Sequence, residues 1–230
     1  MEPASPHQGP VRLVSNLAIA GLVTAGVFAV IDWYAVTRAD ARLERIAKPA
    51  VMGTLIVTVL LSDPGASTRS LLLALALGAS LTGDLLLLPP ERFTYGLVAF
   101  FFAHVAYLAL FLLGPLHAEP AALGAIGAAI VFLVVGRGIF SGASRAGLRG
   151  PVAGYLAAIF LMAIAATARG SVPAALGAWL FVASDAMLGW DRFVARPPAL
   201  PRAALLRRLG VIVTYHGAQL LLAAAILGAA

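Results

Sequence analysis

Cysteine is absent from this chain of 230 residues. The protein therefore has no disulfide framework, no thiol nucleophile and no thiolate metal site. Charge is scarce as well, because only 11% of the residues are Asp, Glu, Lys or Arg, against about 25% in an ordinary soluble domain. Hydrophobic residues make up 61% of the chain instead. This composition indicates a membrane protein.

Apolar runs long enough to cross a hydrocarbon core of about 30 Å, roughly 17 to 25 residues each, recur along the chain. They predict eight transmembrane helices, at residues 13–35, 49–62, 68–88, 94–114, 121–137, 151–168, 172–190 and 209–228. The first is too long for the apolar core of a signal peptide and lacks its basic start and cleavage site. We expect an all-α, polytopic integral membrane protein, with residues 1–230 in a single transmembrane domain and 1–12 as a short N-terminal tail.

Basic residues are distributed unequally between the two ends of these spans. The N-terminus and the even-numbered loops hold three: Arg12, Arg69 and Arg169. The odd-numbered loops hold thirteen: Arg38, Arg42, Arg45, Lys48, Arg92, Arg137, Arg145, Arg149, Arg192, Arg196, Arg202, Arg207 and Arg208. The positive-inside rule therefore predicts that the odd loops face the cytoplasm and that both termini lie outside. We interpret the net charge of +6 as this orientation signal and predict no nucleic-acid partner.

The membrane itself is less well defined by the sequence. Arginine outnumbers lysine fifteen to one, which favours a GC-rich bacterial genome and hence a bacterial cytoplasmic (inner) membrane. An endoplasmic reticulum protein would show the same spans. Asp191 and the arginines after it are most simply a solvated loop.

Ionisable residues within the spans gather towards the basic ends. Asp84 ends the third span, Asp185 lies in the last third of the seventh, and His104 lies near the middle of the fourth. A charge at the centre of a membrane helix costs roughly 2.5 to 3.5 kcal/mol on insertion scales, so such residues usually face a bundle interior or a wet cavity. We therefore predict a cavity that opens to the cytoplasmic leaflet.

Each of these residues also has a structural interpretation. Asp84 is close enough to the interface to be hydrated there, and His104 can simply hydrogen-bond a neighbouring helix. Lys48 can be an orientation charge, with Pro49 at the first helical position, where its missing N–H is harmless. Asp32 reads as an interfacial residue unless it pairs with Lys48.

Two short segments share an order of residues, an aspartate followed by an Arg-Phe pair: Gly83-Asp84 with Arg92-Phe93, and Ser184-Asp185 with Arg192-Phe193. Each precedes a span that carries a histidine, His104 or His216. The aspartates lie in the third span of each four-helix half, so a parallel duplication would place both near an axis along the membrane normal. Two parallel four-helix halves are thus a hypothesis, since matches this short also arise by chance.

Two carboxylates in one low-dielectric site cannot both ionise easily, so one stays protonated near neutral pH. Such a pair supplies an acid and a base, as in glycosidases that pass through an oxocarbenium-like state. The chain contains no G-x-S-x-G nucleophile elbow and no H-E-x-x-H metal helix. A serine triad around Ser184 would need a His and an Asp placed in space, which the sequence leaves open.

Several short blocks keep a fixed order from the second span to the last: Lys48-Pro49, Gly83-Asp84 with Phe93, Gly96 and Phe100, His104-Val-Ala-Tyr107, Gly177-Ala-Trp-Leu-Phe181 with Ser184-Asp185, and Tyr215 with Gln219. No single block is specific, but their order and spacing resemble the YhhN-like, or TMEM86-type, membrane family. The characterised members of that family are lysoplasmalogenases. His216 lies outside the family pattern.

The resemblance implies hydrolysis of the vinyl ether (1-alkenyl) bond of a lysoplasmalogen, giving a fatty aldehyde and glycerophosphoethanolamine or glycerophosphocholine. This cleavage begins with protonation of the alkene carbon, and it needs an acid, a stabilising anion and a positioned water. We expect Asp84 and Asp185 to divide the catalytic acid and base roles, in either order. Lys48 would meet the substrate phosphate, and an apolar groove would hold the alkenyl chain. The remaining predicted substrate-binding residues are His104, Tyr107, Tyr215, His216 and Gln219.

Other functional classes stay open. A proton-coupled membrane transporter of a small amphiphile would also use intramembrane carboxylates, although the candidates gather towards one leaflet. A lipid-binding scaffold would bind without turnover. A metal enzyme could use the aspartates and histidines as N/O ligands, but we predict no metal and no cofactor, because no closely spaced ligand pair lies on one helix. The expected partners are the lysophospholipid substrate and membrane lipids.

Overall fold

A computed structural model describes residues 9–195 and 200–228, and its secondary structure there is helical. Within these residues, eight helices are long and apolar enough to cross a membrane. They are α1 (Gly9–Thr37), α2 (Ala41–Ser62), α3 (Thr68–Leu86), α4 (Phe93–Leu112), α5 (Ala118–Arg145), α6 (Arg149–Ala168), α7 (Val172–Phe193) and α8 (Pro201–Leu227). The prediction of an all-α, multi-pass integral membrane protein is confirmed. Arg196, the side chain of Arg12 and residues 1–8 of the predicted tail lie outside the described residues.

The second helix starts earlier than hydropathy predicts. Asp40 caps α2 by accepting two backbone N–H groups of its first turn, which stabilises a charged helical segment from Ala41 onwards. The prediction that Pro49 occupies the first helical position is therefore wrong, because Pro49 lies inside α2. Lys48 consequently sits about two turns inside the helix rather than at its start.

Two other helices are also longer than predicted. α5 continues to Arg145, beyond the predicted end at residue 137, and α8 begins at Pro201 rather than at residue 209. Both added segments carry arginines, which a hydropathy pattern assigns to loops. Asp191 likewise lies in the last turns of α7, so its assignment to a solvated loop is wrong.

α5 is continuous but not uniform. Its α-helical parts, Ala118–Val131 and Arg137–Arg145, flank a π-helical turn at Phe132–Gly136. A short 3₁₀ turn at Pro90–Arg92 joins α3 to α4. We use "basic side" for the side of the bundle that holds the loops α1–α2, α3–α4, α5–α6 and α7–α8.

The helices pack in a similar order in the two halves of the chain. α1 packs on α2, α2 on α3 and α3 on α4, while α5 packs on α6, α6 on α7 and α7 on α8. Between the halves, α4 packs against α6 as α8 packs against α2. The first helices depart from this order, because α1 packs on α8 whereas α5 packs on α7. The arrangement favours the hypothesis of a parallel duplication.

The two Arg-Phe pairs that suggested the repeat lie together. The rings of Phe93 and Phe193 meet edge to face, 5.8 Å apart between centroids. The guanidinium of Arg192 lies 4.8 Å from the centroid of the Phe93 ring, within the range of a cation–π contact. These contacts bring the basic ends of α4 and α7 close to each other.

Candidate active site

A polar cavity of about 500 Å³ lies between α2, α3, α7 and α8, towards the basic side. We refer to it as the polar cavity. Its ionisable lining residues are Glu44, Lys48, Asp84, Asp185, Asp191, Arg207, Arg208 and Tyr215. The fold thus brings both predicted catalytic aspartates to one cavity, from two helices that are distant in the sequence.

Asp84 is held by a cation and a hydroxyl. It lies near the end of α3 and is only 4% exposed. Its Oδ1 is 3.1 Å from the Nζ of Lys48, and the hydroxyl of Tyr215 donates a hydrogen bond of 2.8 Å to Oδ2. An ionised carboxylate buried in this way needs both kinds of partner. This ion pair is the reason for a lysine two turns inside α2.

Asp185 has different partners. The hydroxyl of Tyr155 donates a hydrogen bond to its Oδ2. Nε2 of His104 lies 3.1 Å from the same oxygen and 3.0 Å from the Tyr155 hydroxyl. Nδ1 of His104 is buried without a hydrogen-bond partner among the described residues. Asp185 thus has a tyrosine and a histidine as its hydrogen-bond partners, where Asp84 has a lysine and a tyrosine.

The two carboxylates have corresponding surroundings in the two halves. Asp84 on α3 receives its partners from α2 and α8, and Asp185 on α7 receives its partners from α6 and α4. In a parallel duplication α2 corresponds to α6, and α4 to α8. The main difference is chemical, because Lys48 carries a charge where Tyr155 offers a neutral hydroxyl.

Tyr155 was absent from the residues predicted from the sequence. A tyrosine in an apolar span carries no charge, and hydropathy gives no reason to select it. The possible repeat could have pointed to Tyr155, because it aligns α6, which carries Tyr155, with α2, which carries Lys48. Glu44 and Arg208 were also missed, because they lie in helical segments that the sequence analysis treated as loops.

Four of the predicted substrate-binding residues do not line the polar cavity: His104, which contacts Asp185 from behind, and Tyr107, His216 and Gln219, whose contacts lie elsewhere in the bundle. The hydroxyl of Tyr107 donates a hydrogen bond of 2.5 Å to Oε1 of Gln219, and Nε2 of Gln219 donates one of 3.0 Å to Ser80. Nε1 of Trp33 donates a hydrogen bond of 3.1 Å to Nδ1 of His216. All four residues are fully buried, so they act within the bundle rather than at the cavity wall.

One aromatic ring connects these buried residues to the site. Phe181 meets the rings of His104, Tyr107 and Tyr215, with centroids 4.7, 6.4 and 5.5 Å away. Phe100 packs edge to face against both Phe181 and Tyr215. The side chains that hold the two aspartates therefore share one packed aromatic core.

The interfacial interpretation of Asp32 is wrong. α1 continues to Thr37 and packs against α2 and α8, so Asp32 is fully buried. Lys48 forms its ion pair with Asp84, and neither carboxylate oxygen of Asp32 has a hydrogen-bond partner within residues 9–195 and 200–228.

An apolar crevice meets the polar cavity at Asp185. Side chains of α4, α5, α6 and α7 line this crevice, and Asp185 and Leu188 belong to the walls of both spaces. The π-helical turn of α5 contributes Val135 and Gly136 to the crevice wall. Such turns are frequent at functional sites. A polar space and an apolar space that meet at one carboxyl group suit an amphiphile.

The candidate metal ligands do not form one group. His104 contacts Asp185, whereas His216 is hydrogen-bonded by Trp33. Within the described part of the chain, no three His, Asp or Glu side chains are placed to hold a metal ion. The absence of a metal stays a prediction that a chelator experiment can test.

The fold and the site define a multi-pass membrane protein with two carboxyl groups at one cavity, one of which, Asp185, also borders an apolar crevice. The chain belongs to the YhhN family, whose sequence model matches residues 43–226. The resemblance noted in the sequence is thereby confirmed.

Named relatives agree with this assignment. The chain is 37% identical over 172 residues to the lysoplasmalogenase TMEM86B of Mus musculus, an alignment that covers 73% of this chain and 68% of the relative. It is 34% identical over 166 residues to the lysoplasmalogenase TMEM86B of Homo sapiens, covering 70% and 65%. The chain thus spans about two thirds of the length of these curated relatives. No solved structure matches it.

Proposed function

We propose that this chain is a lysoplasmalogenase, an ether hydrolase that cleaves the vinyl ether bond of 1-alkenyl lysophospholipids. The observation that carries the proposal is the meeting of Asp84 and Asp185 at one cavity, with a lysine beside the first and a tyrosine and a histidine beside the second. Relatives named lysoplasmalogenase are 34% to 37% identical to the chain. The products are a fatty aldehyde and glycerophosphoethanolamine or glycerophosphocholine.

Asp185 is the acid in this mechanism. Of two carboxyl groups that share a low-dielectric site, one keeps its proton. Lys48 forms an ion pair with Asp84, whereas the partners of Asp185 are the hydroxyl of Tyr155 and the imidazole of His104, so we assign the proton to Asp185. Asp185 also borders the apolar crevice, where the alkene carbon of a bound alkenyl chain would lie. Because His104 and Tyr155 both contact Oδ2, Oδ1 is the oxygen that delivers the proton.

The reaction then proceeds in three steps. Asp185 protonates the outer carbon of the alkene, and the ether oxygen shares the resulting positive charge as an oxocarbenium ion that the Asp84 carboxylate stabilises. Water adds to the inner carbon of the substrate and gives one proton to Asp84. This addition forms a hemiacetal. Asp84 returns that proton to the glycerol oxygen as the carbon–oxygen bond breaks, while Asp185 accepts the hydroxyl proton of the hemiacetal. One water is consumed and both carboxyl groups regain their starting states.

The other predicted residues take supporting roles. Lys48 is 19% exposed and lines the polar cavity, so its remaining N–H groups can meet a substrate phosphate. Tyr215 and His104 orient the two aspartates. Tyr107, Gln219 and His216 are positioning residues, because they support the core behind the aspartates without lining the cavity. The apolar crevice holds the start of the alkenyl chain, and the substrate enters from the bilayer.

The same proposal includes an orientation. The basic side faces the cytoplasm of a bacterial inner membrane, so the polar cavity opens to the cytoplasmic leaflet. The excess of arginine at the basic-side ends of the helices supports this orientation.

The test is aldehyde release from 1-alkenyl glycerophosphoethanolamine by the purified protein in detergent. Asp84→Asn and Asp185→Asn are each expected to lower kcat on the order of 10²- to 10⁴-fold, because each removes a proton-transfer group. Glu119→Gln, at an exposed position on the opposite side of the bundle, is the matched control. If both aspartate variants are folded and retain wild-type rates, the carboxylate mechanism is wrong.

The same assay separates the alternatives. A proton-coupled carrier cannot release aldehyde in detergent, where no gradient exists. A lipid-binding scaffold would bind the substrate without turnover. The 1-acyl analogue is expected to remain intact, because the proposed site has no role for an ester nucleophile. Loss of activity in a chelator, restored by one divalent ion, would replace the metal-free mechanism by a metal-dependent one.

A further inference from the structure

Charged residues line the polar cavity at two depths. On α2, Glu44 precedes Lys48 by one turn, so the two lie on one face and are roughly 6 Å apart along the axis. On α8, Arg208 precedes Tyr215 by two turns, or roughly 10 Å. Both helices enter the bundle from the basic side. Glu44 and Arg208 therefore form an outer level, and Lys48 and Tyr215 form an inner level around Asp84.

The two residues of the outer level bind each other across the cavity. Nη2 of Arg208 contacts both carboxylate oxygens of Glu44. The glutamate side chain is only 11% exposed, whereas the arginine side chain is 54% exposed. The pair thus joins α2 to α8 and extends from the cavity wall to its mouth. Neither residue has a role in the proton transfers of the proposed reaction.

We propose that Glu44 and Arg208 form a subsite for a zwitterionic phosphoamine head group. The phosphate lies between the two levels, so that its inner oxygens can meet Lys48 and its outer oxygens bind the guanidinium of Arg208, and the ammonium binds the carboxylate of Glu44. The inference rests on the proposed function, because it places the vinyl ether of the same substrate between Asp84 and Asp185.

The chemistry of the pair fits this ligand. A guanidinium presents a planar set of N–H groups that matches phosphate oxygens, and the Arg208 side chain is 54% exposed, so a ligand can reach it. A zwitterion that inserts between the two side chains gives each of them a new partner of opposite charge. A phosphate without an amine would satisfy Arg208 but would leave the nearly buried Glu44 without a cation. The subsite therefore favours head groups that carry both charges.

The length of the substrate fits the spacing of the two levels. The vinyl ether oxygen and the phosphorus of a lysophospholipid are separated by about five bonds, roughly 6 Å in an extended chain. The inner and outer levels are roughly 6 to 10 Å apart along α2 and α8. A vinyl ether held at the aspartates therefore places its phosphate between the two levels, within reach of Arg208.

The experiment compares three substrates that share the same alkenyl chain: 1-alkenyl glycerophosphoethanolamine, 1-alkenyl glycerophosphate and 1-alkenylglycerol. Arg208→Gln is expected to lower kcat/KM roughly 10- to 100-fold for both phosphate substrates, mainly through KM, and to leave 1-alkenylglycerol unchanged. Glu44→Gln is expected to lower kcat/KM roughly 10-fold for the ethanolamine substrate alone. The preference of the protein then shifts from 1-alkenyl glycerophosphoethanolamine towards 1-alkenyl glycerophosphate.

A double variant distinguishes loss of head-group binding from misfolding caused by an unpaired charge. Glu44→Gln/Arg208→Gln leaves no unpaired charge at the outer level, and it is expected to cleave 1-alkenylglycerol as the wild type does while losing head-group discrimination. Arg202→Gln and Glu91→Gln change the same charges at exposed positions on the basic side that do not line the cavity. These two controls are expected to match the wild type on all three substrates.

The outcomes separate the inference from the proposed function. Equal losses on all three substrates would show that the pair only supports the fold, and unchanged kinetics would place the head group elsewhere. Either result overturns the subsite while vinyl ether cleavage stands. A wild-type protein that cleaves none of the three substrates would overturn the proposed function itself.

Discussion

At the scale of single residues, Asp84 and Asp185 are chemically identical side chains with different partners. Asp84 has an ammonium and a hydroxyl as partners, whereas Asp185 has a hydroxyl and an imidazole. Our proposal uses this difference: it assigns the stabilising role to the carboxyl group beside Lys48 and the acid role to the one beside Tyr155. In the proposed duplication, Lys48 and Tyr155 lie on corresponding helices.

A substitution at Tyr155 tests most directly whether the partners of Asp185 matter for its proposed role. Tyr155→Phe removes the hydroxyl that donates to Oδ2 of Asp185 and keeps the ring that packs edge to face on His104. In the proposed mechanism Asp185 becomes a carboxylate as it gives up its proton, and a hydrogen bond to a charged group contributes about 1.5 to 3 kcal/mol, so we expect kcat for vinyl ether cleavage to fall roughly 10- to 100-fold. Steady-state aldehyde release measures the change.

Tyr95→Phe is the control for this substitution. Tyr95 is 66% exposed at the start of α4, so loss of its hydroxyl is expected to leave kcat unchanged. A Tyr155→Phe protein with wild-type kcat across the pH range would contradict a role for this hydroxyl in orienting Asp185. A shifted pH profile of kcat would support that role.

At the scale of elements, the contact between α3 and α4 depends on Gly83, which has no side chain. A Cβ placed on Gly83 would lie 2.5 Å from the ring of Phe100, and the same atom on Gly78 would meet nothing within 4 Å. Both glycines lie in α3. The ring of Phe100 in turn packs on Tyr215, the hydroxyl partner of Asp84. Close packing at Gly83 therefore supports the site as well as the helix pair.

The two glycines make a matched pair of substitutions. Gly83→Ala is expected to destabilise the protein by about 1 to 3 kcal/mol, because overpacking displaces a core ring, and to lower activity through Tyr215. Gly78→Ala is expected to leave stability unchanged or to raise it by up to about 1 kcal/mol, because alanine favours the helix. Thermal unfolding in detergent distinguishes the two. Equal melting temperatures would show that the ring of Phe100 moves aside freely.

The α2–α3 connection contains a pH-dependent cap. Asp63 ends α2, and its Oδ2 accepts hydrogen bonds from the backbone N–H of Ser67 and from the hydroxyl of Ser70. These hydrogen bonds lower the pKa of Asp63 below its ordinary value of 3.8. A carboxyl group whose pKa is depressed by folding stabilises the folded state above its unfolded pKa, and this stabilisation is lost as the pH falls through the folded pKa.

Asp63→Asn should therefore reduce stability at neutral pH, and the difference from the wild type should shrink as the pH falls below about 4. Ser70→Ala removes one of the donors and should produce a smaller change of the same sign. Melting temperatures measured near neutral pH and at about pH 3 provide the test. A constant difference between Asp63→Asn and the wild type at both pH values would show that charge plays no part in the cap.

At the scale of the whole molecule, the unequal distribution of arginine predicts an orientation in the membrane, which cysteine labelling can test. The chain contains no cysteine, so a single introduced thiol reports without background. Glu91 lies in the 3₁₀ turn on the basic side, and Glu119 lies in the first turn of α5 on the other side. Both positions are exposed.

In intact cells, an impermeant thiol reagent is expected to label Glu119→Cys directly and Glu91→Cys only after the membrane is opened. This result follows from the positive-inside rule, which retains the arginine-rich loops in the cytoplasm. The opposite pattern would place the polar cavity at the outer leaflet and would change the source of the substrate.

The sequence predicted the eight spans and their basic side, since span length, apolar composition and loop charge are local properties of the chain. Backbone groups within the bilayer must also be satisfied inside each helix, which makes helices the expected element. The sequence also singled out Asp84 and Asp185, which line one cavity, because a carboxyl group in an apolar run is conspicuous. The charged starts of α2 and α8 could not, because hydropathy assigns capped, arginine-bearing helical turns to loops.

Only the tertiary structure decided which of these side chains meet. Tyr155 reaches Asp185 across 30 residues of sequence, and Arg208 reaches Glu44 across 164. Asp32 became a buried residue because α1 packs between α2 and α8. Such contacts depend on the packing of helices that are distant in the sequence, and the local composition of each helix does not determine that packing.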